Sequence, residues 1–293
     1  MNTTVTDICN LFKLGIRGDE SKIVVKVASI KNQEEGVLMW AKSADFINKV
    51  EKGVLICSEK DFTEVIEQDQ VTYLITKNSP RLMFSKIVQH YIGTSAINLK
   101  NEVSLHIKRN DIKISENCFI GPDVEIGTGT IIYPNVVIHS GSIIGKNCII
   151  KSFCSIGSEG LGYEFEDGKL VKFPQLGGVV MGDNVEIGPS STIRRAALDD
   201  TLIGDGCKIG SFVNVGHNCV IKQNVIMTCQ IVTAGGSIVG KNVFMGVGSS
   251  LKQKVAIGDD ATIGQGAVII KDVKQNEIVV GNPGKVIGNN NAN

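Results

Sequence analysis

The stretch ISENCF-IGPDVE-IGTGTI-IYPNVV-IHSGSI-IGKNCI-IKSFCS-I, residues Ile114–Ile156, decides the fold. Isoleucine opens every block of six: Ile114, Ile120, Ile126, Ile132, Ile138, Ile144, Ile150 and Ile156. A period of six drifts around a 3.6-residue helix and leaves these side chains no common face. A short strand followed by a tight turn every six residues does give them one. The aliphatic then points inward, and Gly or Asn takes the turn, where a positive φ is cheap. Repetition at this period is the signature of a parallel β-helix.

Working outward, the beat resumes at Met181, Ile187 and Ile193, and again from Ile203 and Ile209 through Val215, Ile221 and Met227. It continues through Val239, Met245, Leu251, Ile257, Ile263 and Ile269, with Thr233 the one polar member of that phase. Three hexads make one coil, so positions eighteen apart stack, and adjacent coils pair as parallel strands about 4.8 Å apart. Seven or eight coils are expected. Two departures from the beat stand out: the excursion from Ser158 to Val180, and a four-residue slip in RRAALDD between Ile193 and Ile203. Loops thrown out of a rigid scaffold commonly carry function.

Residues 1–100 do not repeat. Thr6 to Lys13 reads as a short helix with Thr6 or Asp7 near its N-cap. Ile23–Ile30, Gly36–Trp40, Gly53–Cys57 and Val71–Ile75 read as strands. Ser58–Gln68 and Ser79–Tyr91 read as helices, the second with Ser79 as N-cap and Pro80 at the first helical position. Strands alternating with helices make a small α/β domain. The expected organisation is an α/β domain over 1–100, a β-helix over 101–275 with an inserted loop at 158–180, and a tail over 276–293. The tail leaves through IVVGNPGKVIG into an Asn-rich end expected to be disordered.

Composition narrows the function. Lys and Arg balance Asp and Glu, for a net charge of zero. No basic stripe points to nucleic acid. No apolar run reaches the length of a membrane span, and the first residues lack a secretory pattern. The eight Cys show no CxxC and no zinc spacing. Cys118, Cys148 and Cys154 sit two residues before a hexad Ile, as small reduced core side chains of a cytoplasmic protein would. The four His are His90, His106, His139 and His217. His139 follows Ile138 at a position expected to face out. None pairs with another at metal-ligand spacing, so a metal site is not expected. His217, in NVGHNCVI within the longest unbroken phase, is a candidate catalytic base, though a lone His is more often structural.

These features together resemble a known family. The repeat alone resembles the left-handed β-helix acyltransferases. The stretch from GSEGLGYEFEDGKLVKFPQLGG to ALDDT, with NVGHNCVI, GVLMWAKSADF and NSPRLMFSKI, is similar to the UDP-3-O-acylglucosamine N-acyltransferases of lipid A synthesis. The resemblance implies the left-handed coil, where the handedness rule for crossovers would favour the opposite. It implies a homotrimer with active sites between subunits, a nucleotide-linked amino sugar as acceptor, and a thioester donor, acyl-CoA or acyl carrier protein. His217 would be the general base, since a protonated sugar amine must lose a proton to attack, and an imidazole suits the task. Gly235, one coil further, would offer its N–H to the oxyanion. Trp40 and Phe46 would clamp the nucleobase by stacking, with Ser43 where the family usually has Asn.

Other positions depart from that family. Lys254 stands where it has a second histidine, and Gly210-Ser211 where it has Asp-Asn. VVGNPGKVIG is similar instead to the ending of sugar and serine acetyltransferases that use acetyl-CoA. Three readings follow: an amino-sugar N-acyltransferase of surface polysaccharide synthesis, the lipid A enzyme itself, or a non-catalytic or zinc β-helix such as a γ-class carbonic anhydrase relative.

Overall fold

The computed structural model describes residues 1–93 and 111–290. Contacts divide the chain into two compact units, Met1–Ser95 with Gly162–Gln175, and Ala96–Leu161 with Leu176–Asn293. The middle of the Ser158–Val180 excursion thus packs with the N-terminal unit. His106 and the expected boundary near residue 100 lie outside the described residues.

In the second unit the hexad aliphatics lie in strands of two to four residues and close all of them but Ser155–Ser158 and Thr192–Arg194. Three parallel sheets result, one starting from Lys113–Ile114, one from Phe119–Ile120 and one from Glu125–Ile126. The sheet containing Phe119–Ile120 has eight strands, one per coil, so the solenoid has eight coils among the described residues. Register is eighteen residues where the beat is unbroken: Val215 pairs with Thr233, and Thr233 with Leu251. The inward column is sealed, with Ile187, Ile193, Val215 and Met245 fully or almost fully buried. Thr233 is buried too, and its hydroxyl sits within hydrogen-bonding reach of Gly216 N–H and of Cys219 Sγ. The turns use the left-handed region: Asn147, Asn184, Asn218, Asn224 and Asn242 have φ between 53° and 59°, where Asn is the cheapest residue after Gly.

The cysteines two residues before the hexad position fill the core. Cys148, Cys154, Cys207 and Cys219 are buried, whereas Cys118 is only half-buried. Burial disfavours the thiolate and pushes Cys154 and Cys207 up to about 11. All eight cysteines are free.

The expected tail is ordered where the structure describes it. Glu277–Val280 pairs with Thr262–Ile263 and turns back antiparallel onto Lys285–Asn289. This hairpin covers the open backbone edge of one sheet at the last coil, which would otherwise expose unpaired groups.

The first unit carries a five-stranded sheet. In chain order the elements are β1 Thr3–Thr4, α1 Val5–Phe12, β2 Gly15–Arg17, β3 Ile23–Val24, β4 Lys26–Val27 and β5 Val37–Trp40. Then follow α2 Ala44–Ile47, β6 Gly53–Ser58, α3 Glu59–Phe62, β7 Val71–Thr76 and α4 Pro80–Tyr91. Sheet order is β2-β7-β6-β5-β4, with β4 to β7 parallel and β2 antiparallel to β7. Four local expectations are corrected. The first helix starts at Val5 because Thr4, not Thr6 or Asp7, caps it by accepting from Asp7 N–H at 3.1 Å. The Ile23–Ile30 strand is two short pieces with different partners. The helix expected over Ser58–Gln68 stops after one turn. Asn48 Oδ1 takes the Ile66 N–H and the Tyr73 hydroxyl takes the Gln68 N–H, so tertiary acceptors replace helical ones. The sheet also has an edge strand, β2, that the sequence pattern did not announce.

The excursion contributes an antiparallel hairpin, Tyr163–Glu166 with Lys169–Lys172. It is held to α4 by the ion pairs Arg81–Glu164 and Lys86–Glu166 and by Ser85 Oγ donating to Lys172 O at 2.7 Å. No helix among the described residues is long and apolar enough to cross a membrane.

Truncating a buried hexad side chain tests the coil account. Ile209→Ala removes a core contact between Ile187 and Met227 on adjacent coils. It should lower unfolding free energy by about 2–5 kcal/mol, read by chemical denaturation; a change below 0.5 kcal/mol would contradict the packing described.

Candidate functional site

His217 follows the strand Asn214–Val215 at a corner of the coil. The 215–233 register puts Gly235 opposite it on the next coil. The packing there is tight. A Cβ built on Gly235 would lie 2.6 Å from His217 Nε2, and one on Gly160 would lie 2.6 Å from His217 Cβ. The imidazole is therefore bordered by two glycines at which an added Cβ would force it to shift.

One ring nitrogen is assigned by its partner. His217 Nδ1 lies 2.9 Å from Asn218 Oδ1. The same oxygen accepts the Ala197 N–H at 3.1 Å, which fixes it as oxygen rather than nitrogen. Nδ1 therefore carries a proton and donates to Asn218, and in the neutral ring the lone pair falls to Nε2, the nitrogen nearest Gly235. Asn218 stands at a φ of 59°, and its own N–H donates to Thr201 Oγ1 at 2.9 Å.

Among the described residues the Gly235 N–H has no acceptor. At the same place after the strand in other coils, the N–H of Lys146, Asp183 and Lys241 is met by Asp183, Asp205 and Asp259 of the next coil. Opposite Gly235 the next coil offers Gln253. Lys254 belongs to the same corner. Its N–H donates to Gly235 O at 3.1 Å, and its Cγ lies 3.4 Å from where a Gly236 Cβ would be. A base nitrogen, a free amide N–H and a lysine thus gather on three successive turns.

The RRAALDD slip is a built support for this corner. Arg195 is buried, its Nε donating to Gly157 O at 2.8 Å and its Nη2 to Ser140 O. Burial pulls the guanidinium below the usual arginine range, against Glu159, Asp123 and Asp200, which raise it. Ala197 O receives the Leu176 N–H at 2.7 Å while Ala197 N–H serves Asn218. Ala197, Asn218 and Gly160 were not singled out from sequence. The slip and the excursion that carry two of them were.

The other histidines separate from this corner. His139 does not face out: it is half-buried, with Nδ1 buried and without a partner among the described residues. Burial and then Arg195 lower its pKa. His90 packs edge-on against Phe12 and Tyr91. Among the described residues no group of three His, Cys, Asp or Glu is placed to hold a metal ion.

In the first unit, Trp40 ends β5 and its ring meets Phe173 edge-on at 6.4 Å. Phe173, from the excursion, also stacks on Phe84 at 6.0 Å, and the Arg81 guanidinium lies 4.3 Å from its centroid. Phe46 lies in α2 under the ammonium groups of Lys42 and Lys49, at 5.2 and 5.3 Å. Trp40 and Phe46 make no ring contact with each other among the described residues. Ser43 precedes α2, and its hydroxyl makes no capping hydrogen bond.

A family model described as bacterial transferase hexapeptide (six repeats) matches residues 123–158, and one described as the hexapeptide repeat of succinyl-transferase matches 237–271. The coil is built of hexapeptide repeats. Among curated proteins the chain is similar to UDP-3-O-acylglucosamine N-acyltransferases, the family its sequence resembles. That of Campylobacter lari is 40% identical over 131 residues, 44% of this chain and 41% of the relative. That of Helicobacter hepaticus is 42% identical over 115 residues, 39% and 35% of the two chains. The matches thus span about two fifths or less of those relatives' length. A solved UDP-N-acetylglucosamine acyltransferase from Campylobacter jejuni is 21% identical, with a TM-score of 0.52 over 62% of this chain and 74% of that one. That likeness is one of fold, the left-handed β-helix.

Gly235→Ala tests the corner. Its methyl would lie 2.6 Å from His217 Nε2 and push the ring out of place. The variant should lose more than about 100-fold in turnover, the scale of a displaced oxyanion donor, while its melting temperature moves by no more than a few degrees. Wild-type turnover would contradict the site.

Proposed function

We propose that this chain is an N-acyltransferase that moves an acyl group from a thioester to the amine of a nucleotide-linked amino sugar. The observation that carries this is the His217–Gly235 pair, an imidazole Nε2 beside a glycine whose N–H has no acceptor among the described residues. The ammonium loses its first proton to solvent, and Nε2 takes the second from the nitrogen as the C–N bond forms. The amine attacks the thioester carbonyl, and the Gly235 N–H receives the oxyanion of the tetrahedral intermediate. Collapse expels the thiolate, which regains a proton from the imidazolium. Asn218 stabilises that imidazolium through Nδ1–H, and Lys254 is available to a phosphate of donor or acceptor.

The curated relatives' name supports a UDP-3-O-acylglucosamine acceptor, hence the lipid A reading with a 3-hydroxyacyl chain from acyl carrier protein. A second reading, acetyl transfer from acetyl-CoA, is favoured by Lys254 in place of the second histidine and by the C-terminal hairpin. In either case the first unit takes the nucleotide, with Trp40 and Phe46 against the base and Ser43 near its edge. A cytoplasmic setting, where both donors occur, fits eight free cysteines.

The assembly is proposed to be a homotrimer. On the sheet that starts at Glu125–Ile126, the outward residues Ile143, Val180, Leu202, Val220 and Ile238 stack into one aliphatic strip. Ile143, Leu202 and Ile238 are 40–42% exposed in the single chain. A continuous apolar strip of this kind marks an interface.

Two measurements test these proposals. His217→Ala should lower kcat by about 10²–10⁴ with folding intact, and an unchanged kcat removes His217 as base. Leu202→Glu combined with Ile238→Glu should convert a trimer to monomers in light scattering, with activity lost; a trimer in the double variant would place the interface elsewhere.

A further inference from the structure

A cavity of about 680 Å³ lies within the first unit and has none of Trp40, Ser43, Phe46 or Phe173 in its lining. It sits at the carboxyl ends of β6 and β7 and along the whole of β2. The volume is that of a small-molecule site. Its apolar wall includes Phe12, Phe62, Ile75 and Met83.

Three cations, Lys13, Arg17 and Lys77, stand on its lining against one carboxylate, Glu59. All three are exposed, and none is in an ion pair among the described residues. Lys13 reaches the cavity from the left-handed C-cap of α1 (φ 56°), where Gly or Asn is the ordinary choice. Arg17 presents a planar fork suited to a carboxylate or phosphate.

We propose that this cavity is a binding site for a small amphipathic anion, an acyl or aromatic body on the Phe12–Phe62 side with a carboxylate or phosphate head on Lys13, Arg17 and Lys77. The proposal goes beyond the acyl-transfer reading and stands without it.

The test is calorimetric titration of the full chain in a Trp40→Ala background, which removes base stacking at Trp40. Dodecanoate probes the acyl source and uridine 5′-monophosphate the aromatic one. Dodecanol and inorganic phosphate are the single-feature controls. At least one amphipathic anion should bind ten-fold or more tighter than its control. The exposed charge reversals Arg17→Glu and Lys77→Glu together should weaken it at least ten-fold, with an unchanged melting temperature. Binding by dodecanoate alone names the acyl source, and by the nucleotide alone the aromatic one. Binding by neither, or binding unaffected by the charge reversals, overturns the proposal.

Discussion

Parallel pairing at a separation of one coil is the constraint on which the second unit depends. Each two-residue strand is too short to persist alone. It persists because the coils above and below take its backbone N–H and C=O groups while its aliphatic fills a shared core. The main-chain bonds from Ile131 N to Cys148 O and from Lys208 N to Val225 O repeat this arrangement along the solenoid. A slip of one residue would turn the Ile column outward and the turn Asn inward. Register is accordingly the most strongly specified property of the chain.

The candidate site follows from register with little added. Eighteen residues without interruption separate His217 from Gly235, so a residue on one coil meets its neighbour on the next without any long-range loop. What the scaffold does not supply by repetition is the orientation of the ring. That comes from the two interruptions. The slip brings Ala197 N–H to Asn218, and the base of the excursion brings Gly160 against the imidazole. Regularity places the histidine, and irregularity fixes which nitrogen is free.

This division also explains what the sequence made legible. The Ile column, the coil length and the stacking of His217 on Gly235 follow from period alone. The tautomer lock could not be read, because Ala197 lies 21 residues before Asn218 across the slip and no repeat spacing links them. Gly160 is further still, across the excursion. His139 was expected to face out because it follows a hexad Ile, but the Arg195 loop covers that corner. In the first unit the early end of α3 and the Thr4 cap depend on side chains of distant or preceding residues, Asn48 and Tyr73 among them, which local propensity does not see. Phe173 as the ring beside Trp40 was hidden for the same reason: its partner lies 133 positions earlier in the chain.

The most direct measurement is the mass of the product. The purified protein would be given UDP-linked amino sugars, including UDP-3-O-acylglucosamine, with 3-hydroxyacyl carrier protein and separately with acetyl-CoA. The account predicts a product heavier by one acyl group, attached at the amine, from one of these donors. The 3-hydroxyacyl product would support the lipid A reading, and the acetyl product the second one. An acyl group found on a hydroxyl, or no transfer to any nucleotide-linked amino sugar from either donor, would contradict N-acyl transfer as the function of this corner.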